Sequence, residues 1–390
     1  NQTGEKNTGL GAYTLGNGAT GSDSTALGYA ALYQNAASNN TAVGSDALYA
    51  NTTGQQNTAV GSGSLNANTT ASNNTAVGYQ SLTTNTTGSA NSALGRRTLR
   101  LNTTGTNNVA IGYQALESNT TASNNTALGY NALLSTTTGA DNTAVGQDAL
   151  MNNTTHSNTA VGRYAMRANT TGTEQIAIGK GALAANTTGS YNIAIGYNAL
   201  DAQTTASNNL AIGYNSLGAN TTGTRNVAVG DYTLDANTDD NDSTALGYAA
   251  LTFSTGSHNT CVGSSAGYNV TTGQYNTIVG SAAGDAITTG SENTAMGYGA
   301  LTSATIGDQN TAIGRGAMRD NTTGYYNVAV GYLALDKNTT ADRNTAVGYE
   351  ALEANTTGSN CVAVGNRALH SHTTGYENTA IGSRAGDTLT

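Results

Sequence analysis

The residues of this chain with chemistry to offer are few and return at fixed intervals. Tyr directly follows a recurrent Gly in ten copies of a short phrase, and six of these residues form adjacent pairs: Tyr113/Tyr130, Tyr197/Tyr214 and Tyr332/Tyr349. Stacked phenol rings can hold a sugar or a receptor side chain, and corner packing between repeats is the competing use of the same rings. The stretch TDDNDST carries Asp239, Asp240 and Asp242, oxygen donors of the kind Ca²⁺ takes. It occurs once and lacks the Gly-Gly-x-Gly-x-Asp rhythm of calcium rolls, so a solvated turn is expected and no metal or cofactor is assigned. Asn-Thr-Thr, as at Asn355 to Thr357, fits the N-glycosylation pattern. Copies only about 4.8 Å apart leave no space for a glycan on each, so the string is read as a turn. His156, His258, His370 and His372 fall in turn segments with no Ser or carboxylate at a recurring offset. Nothing resembles a nucleophile, a base and an orienting group, and no enzyme is expected.

Such residues need a scaffold, and the composition restricts which one. Gly makes up 50 of 390 residues, Pro and Trp are absent, Phe appears once and only 9% of residues are charged. The bulky material of an ordinary globular core is missing, while the low charge argues against a solvated disordered tail. A formal charge of −9 leaves no basic surface for nucleic acid or anionic lipid. No apolar run approaches the roughly 20 residues of a membrane span, so no membrane contact is expected of this segment. Cys261 and Cys361 are 100 positions apart and give neither a disulfide framework nor metal-ligand spacing.

The scaffold is written in the phrase NTAVGYEALEANTTG, residues 344 to 358, which recurs in variants from end to end. Aligned on the Gly that closes NTAVG, there are 23 copies spaced by 17 residues, except for three spacings of 16 that end at Gly44, Gly162 and Gly263. Each deletion falls in the NTTG segment, where a surface turn tolerates it. A period this short, carrying Gly and a turn string, leaves no room for two helices and predicts a solenoid of one β-coil per repeat. Residues 1–390 therefore read as a single continuous all-β solenoid, roughly 110 Å long at about 4.8 Å per rung. The chain starts and stops part way through a rung, which reads as truncation within a longer protein.

Positions are counted from the recurrent Gly. Position −3 is usually Thr but exchanges with Val109, Ile176, Ile193 and Leu210, and position −1 is always apolar, so both are expected to face the coil interior. Position +4 is Leu or Met in twenty rungs. It is Gly267, Gly284 and Gly386 in the others, which gain Val270, Ile287 and Leu389 three places on, as core positions do. By alternation the Ala at −2 then faces out, a smooth strip with no charge, flanked by a column of Asn such as Asn74 and Asn91. The expected oligomer interface is accordingly Ala76, Ala93, Ala110, Ala127, Ala144, Ala177, Ala194, Ala211, Ala228, Ala312, Ala329 and Ala346. Cys261 takes an Ala position, so in an assembly it would meet its own copies.

The segments NVAIG (108 to 112), NIAIG (192 to 196) and NVAVG (327 to 331) resemble the Asn-Ser-Val-Ala-Ile-Gly motif of trimeric autotransporter adhesin heads, the YadA-like family. The stretch SAAGDAITTGSENTAMGYGA, residues 281 to 300, also resembles repeat shafts of phage and giant-virus tail-fibre proteins. The first resemblance implies a left-handed parallel β-roll with three copies packed about an axis. Together they imply an extracellular, non-enzymatic spacer or adhesive shaft on a cell or virion, its partners being itself and a host receptor or glycan. Two other roles fit a regular β-face: an ice-binding protein and a self-assembling filament subunit. Against ice binding stands the expectation that the Thr column at −3 faces the core.

Overall fold

The computed structural model describes residues 3–17 and 20–389. The chain divides into two compact units, Asn1–Asn192 and Ile193–Thr390. The first carries eleven strands, from β1 (Thr8–Leu10) to β11 (Ile176–Ile178), and the second twelve, from β12 (Ile193–Ile195) to β23 (Thr379–Ile381). Every strand is three residues long and coincides with positions −3 to −1, and among the described residues there is no helix. Within each unit consecutive strands pair in parallel and in register, so equivalent positions stack. Ala194, Ala211, Ala228, Ala245, Cys261, Ile278 and Ala295 form one such column. A parallel β-solenoid with one 17-residue coil per repeat is thus the observed architecture.

The remaining fourteen positions of a rung turn the chain back without regular strand. The Gly at position 0 adopts φ between 123° and 142°, and a Cβ there would meet the carbonyl of the next rung's Gly, at 2.1 Å for Gly196 against Gly213. No other residue fits. Positions +2 and +4 also take the left-handed conformation, as in Gln80 (φ 55°) and Leu82 (φ 51°). For Leu this costs about 1 kcal/mol, offset by the roughly 2 kcal/mol gained when the side chain is buried. The short rungs lose their residue where a turn should: Asn153 Nδ2 reaches the Thr155 carbonyl two residues on at 2.8 Å, whereas Asn85 reaches Gly88 three residues on at 2.9 Å.

The faces of the strand are the reverse of the expected ones. Ala76, Ala93, Ala110, Ala127, Ala144, Ala177, Ala194, Ala211, Ala228, Ala312, Ala329 and Ala346 are all buried inside their own coil. They form no outward strip and cannot meet a second copy. Cys261 shares that interior position and likewise faces its own coil. Positions −3 and −1 point outward: the strands read exposed or intermediate, buried, exposed or intermediate from β2 (Thr25–Leu27) onward. The Leu column at +4 is buried, as expected, and so are Val270 and Ile287, while Leu389 is exposed.

The physical reason is space. Inside, the strand lies against position +4 of its own coil, leaving room for a methyl group only. Two rungs show the contact. Cys261 and Ile278 are the larger residues at −2, and their rungs are the ones with Gly267 and Gly284 at +4. A Cβ on Gly267 would lie 2.8 Å from Cys261 Sγ, and one on Gly284 2.9 Å from Ile278 Cδ1. Volume lost on one wall is filled from the other. Outside, Thr and aliphatics exchange freely because β-branched side chains suit an exposed pleated face equally well.

Candidate functional site: the outward strand face and its tyrosine edge

The outward face is built from two columns, Thr, Ser or aliphatic at −3 and Val, Ile, Leu or Met at −1, with no charged residue at either position in any of the 23 rungs. Several of its apolar side chains are markedly exposed, among them Leu94 (49%), Leu128 (44%) and Met296 (41%). In the first unit its eleven strands carry two outward side chains each, so the face runs without a break from rung to rung rather than as scattered surface apolar groups.

Along one edge of this face runs position +1. The rings of Tyr113 and Tyr130 stack at 5.3 Å, Tyr197 and Tyr214 at 5.2 Å, and Tyr332 and Tyr349 at 5.3 Å, so the structure brings each sequence-identified pair together. Arginines extend the same ladder. Arg96 lies between Tyr79 and Tyr113, and Arg315 between Tyr298 and Tyr332, each within 5.8 Å of the ring centroids. Ring faces within these pairs are largely occupied by each other, which gives corner packing a clear share of their role.

The Asn column at −4, expected beside an outward strip, and the Asn of the NTTG turn at +7 are both buried and form two ladders. At +7, Asn85 Nδ2 donates to Asn68 Oδ1 at 2.9 Å and Asn102 Nδ2 to Asn85 Oδ1 at 2.7 Å. At −4, Asn74 Oδ1 accepts from the Asn91 backbone N–H at 2.9 Å while its Nδ2 donates to the Gly88 carbonyl. Each amide satisfies turn groups that would otherwise be stranded in the interior. Asn355 belongs to the first ladder, bonded to Gly358 and Asn338, so the side-chain amide of its Asn-Thr-Thr string is enclosed although Thr357 is exposed.

His372, in a turn segment as expected, takes an Asn position in that ladder and is buried at 1% exposure. Its Nε2 faces Asn378 Nδ2 at 3.0 Å and so accepts, leaving the imidazole neutral. Burial pushes its pKa down. The unfolded chain therefore takes up this proton first: stability from neutral His372 is complete above about pH 6.5 and is lost as pH falls through the depressed folded value. His372→Asn, restoring the ladder residue, is expected to lose less melting temperature than the parent between about pH 7.5 and 5. Equal acid losses in thermal melts would contradict this.

The other sequence candidates disperse. Asp242 is held below its ordinary range by bonds from Arg225, at 2.7 and 2.8 Å, while Asp240 is pushed up by burial and accepts from Ser257. Among the described residues no group of three or more His, Cys, Asp or Glu converges as a metal cluster. Cys261 and Cys361 are free thiols, both buried, and burial raises the Cys261 pKa. Among the described residues no helix is long and apolar enough to cross a membrane.

Compared with known proteins, the chain matches no family model, and no curated protein matches it.

Proposed function

We propose that this chain is a non-enzymatic, extracellular fibre segment that self-associates through the outward face of its strands, three copies to an assembly. The carrying observation is the uncharged pair of columns at −3 and −1, partly exposed and repeated on every strand. A soluble protein that leaves such a strip uncovered exposes an aggregation surface, whereas copies packed face to face bury it. The order of three rests on the resemblance of NVAIG, NIAIG and NVAVG to adhesin-head motifs. The role is reach and multivalent display, with positions +1 and +2 as the outer surface.

Substituting Ile195→Lys, Val229→Lys and Val262→Lys, on alternate strands, tests this. The outward charges leave the coil interior untouched, so circular dichroism should be unchanged while the apparent dissociation constant rises at least about 100-fold, as expected for desolvated like charges. An unchanged oligomer would reject the interface.

A second reading is ice binding, because the Thr column faces outward and the objection to it is removed. Outward groups repeat about 4.8 Å between rungs and 6.8 Å along a strand, a regular array able to order water. The unequal sizes of Leu94, Leu128 and Met296 roughen that array, which favours self-association. A thermal hysteresis measurement on the parent and the triple-Lys variant decides: activity in the parent that the variant loses, without any change of mass, would favour ice.

A further inference from the structure

Each unit carries a cleft of one design on the corner formed by positions +1, +2 and +5. In the first unit Tyr13, Tyr29, Tyr33 and Tyr49 surround Ala30, with Asp46 at the rim, in a cleft of ≈ 380 Å³. In the second, Tyr232, Tyr248 and Tyr268 surround Ala249, with Thr252 and Ser265 at the rim, in a cleft of ≈ 460 Å³. The register is identical: +2 of one rung, +1, +2 and +5 of the next, and +2 and +5 of the third. Both are centred on the pentapeptide GYAAL, at 28 to 32 and 247 to 251. At +2 most rungs carry longer side chains, such as Gln80 and Gln114; Ala30 and Ala249 open the floor.

The walls mix two ring geometries: Tyr13 and Tyr29 meet edge to face, 83° apart, as do Tyr232 and Tyr248 at 84°, while Tyr33 and Tyr49 stack at 5.2 Å; an edge-to-face pair covers fewer ring faces than a stacked one. Tyr13, Tyr29 and Tyr248 are all more than half exposed, at 64%, 55% and 59%. We propose that these two clefts are saccharide-binding slots for a neutral hexose unit or disaccharide. The C–H face of the sugar lies on the tyrosine ring, and its hydroxyls meet the phenol oxygens and the rim group at +2. The ligand is neutral because the rim residue is Asp46 in one slot and Ser265 in the other: both bond a hydroxyl, and only one could hold a cation. This inference concerns single units and is independent of the assembly proposed above.

Saturation-transfer NMR on the whole chain, with lactose, maltose and cellobiose each at on the order of 10 mM to populate weak sites, reads the contact. Transfer to ring protons of at least one disaccharide is expected. It should fall at least 5-fold in the double variant Ala30→Gln/Ala249→Gln, which fills both floors with the residue already present at Gln80 with the same left-handed backbone. Tyr29→Phe/Tyr248→Phe, keeping the rings and removing the hydroxyls, should weaken binding less. Choline chloride is the cationic probe. Transfer to choline without any to the sugars, no transfer to any sugar, or sugar transfer unaffected in the filled variant would each overturn the assignment.

Discussion

Ala211→Asp is expected to abolish cooperative folding of the rungs around it, at a cost above about 4 kcal/mol. Ala211 has no exposed surface, and its stacked neighbours in the strands before and after are Ala194 and Ala228. A carboxylate there would have no partner, and there is no room for its volume between strand and opposite wall. The residue before it supplies the contrast. Leu210→Thr, on the outward face and restoring the commonest residue at −3, should change the stability of the isolated coil by less than about 0.5 kcal/mol. Urea unfolding followed by circular dichroism measures both. Had alanines faced a neighbouring molecule, Ala211→Asp would have altered mass more than folding; a stable monomeric Ala211→Asp would contradict the interior placement.

Gly196→Ala is the second large effect, and the smallest substitution that produces one. The backbone holds φ near 142°, and the new Cβ would stand 2.1 Å from the Gly213 carbonyl oxygen, which is backbone and cannot swing aside. Opening the rungs apart breaks the parallel ladder that the Gly213 N–H makes with the Ile195 carbonyl at 2.8 Å. A loss of at least about 3 kcal/mol is expected, combining the strained φ with the clash. Gly63→Ala is the control. Its nearest neighbour is Gln80 Cγ at 3.7 Å, and Ala30 already occupies the equivalent position in another rung with φ 51°. The same added methyl should there cost only the left-handed strain, about 1 to 2 kcal/mol. Equal losses at the two sites would mean that the coil spacing is looser than the structure shows.

The coil, its period and the place of each deletion were legible because a 17-residue repeat with one turn string admits few folds. The Leu column was legible through its replacement by Val270 and Ile287. The facing of the strand was not, because alternation states which residues share a side and leaves open which side is the interior. Exchange of Thr with Val was read as a core signature, although an exposed pleat accepts both. The signal that resolves it was present in the pairs Cys261 with Gly267 and Ile278 with Gly284, large residue against missing side chain within one rung. The buried Asn ladders were hidden for another reason: Asn before Thr-Thr-Gly has the composition of a solvated turn, and only stacking turns its amide inward. Tyrosine pairs were found from adjacency at +1, whereas the clefts draw on +2 and +5 and on the small Ala between them, which adjacency along one column does not reveal.

Because the alanines fill the interior, the strand's other face carries the continuous uncharged columns at −3 and −1, and the proposed self-association rests on that face. The most direct measurement is the mass of the intact chain at micromolar concentration by light scattering with size-exclusion chromatography. Self-association through the outward columns, at the order of three that the adhesin-head resemblance implies, predicts three times the chain mass of 39.1 kDa. A folded species at the single-chain mass, with Val, Ile and Leu of that face left in water, would contradict it.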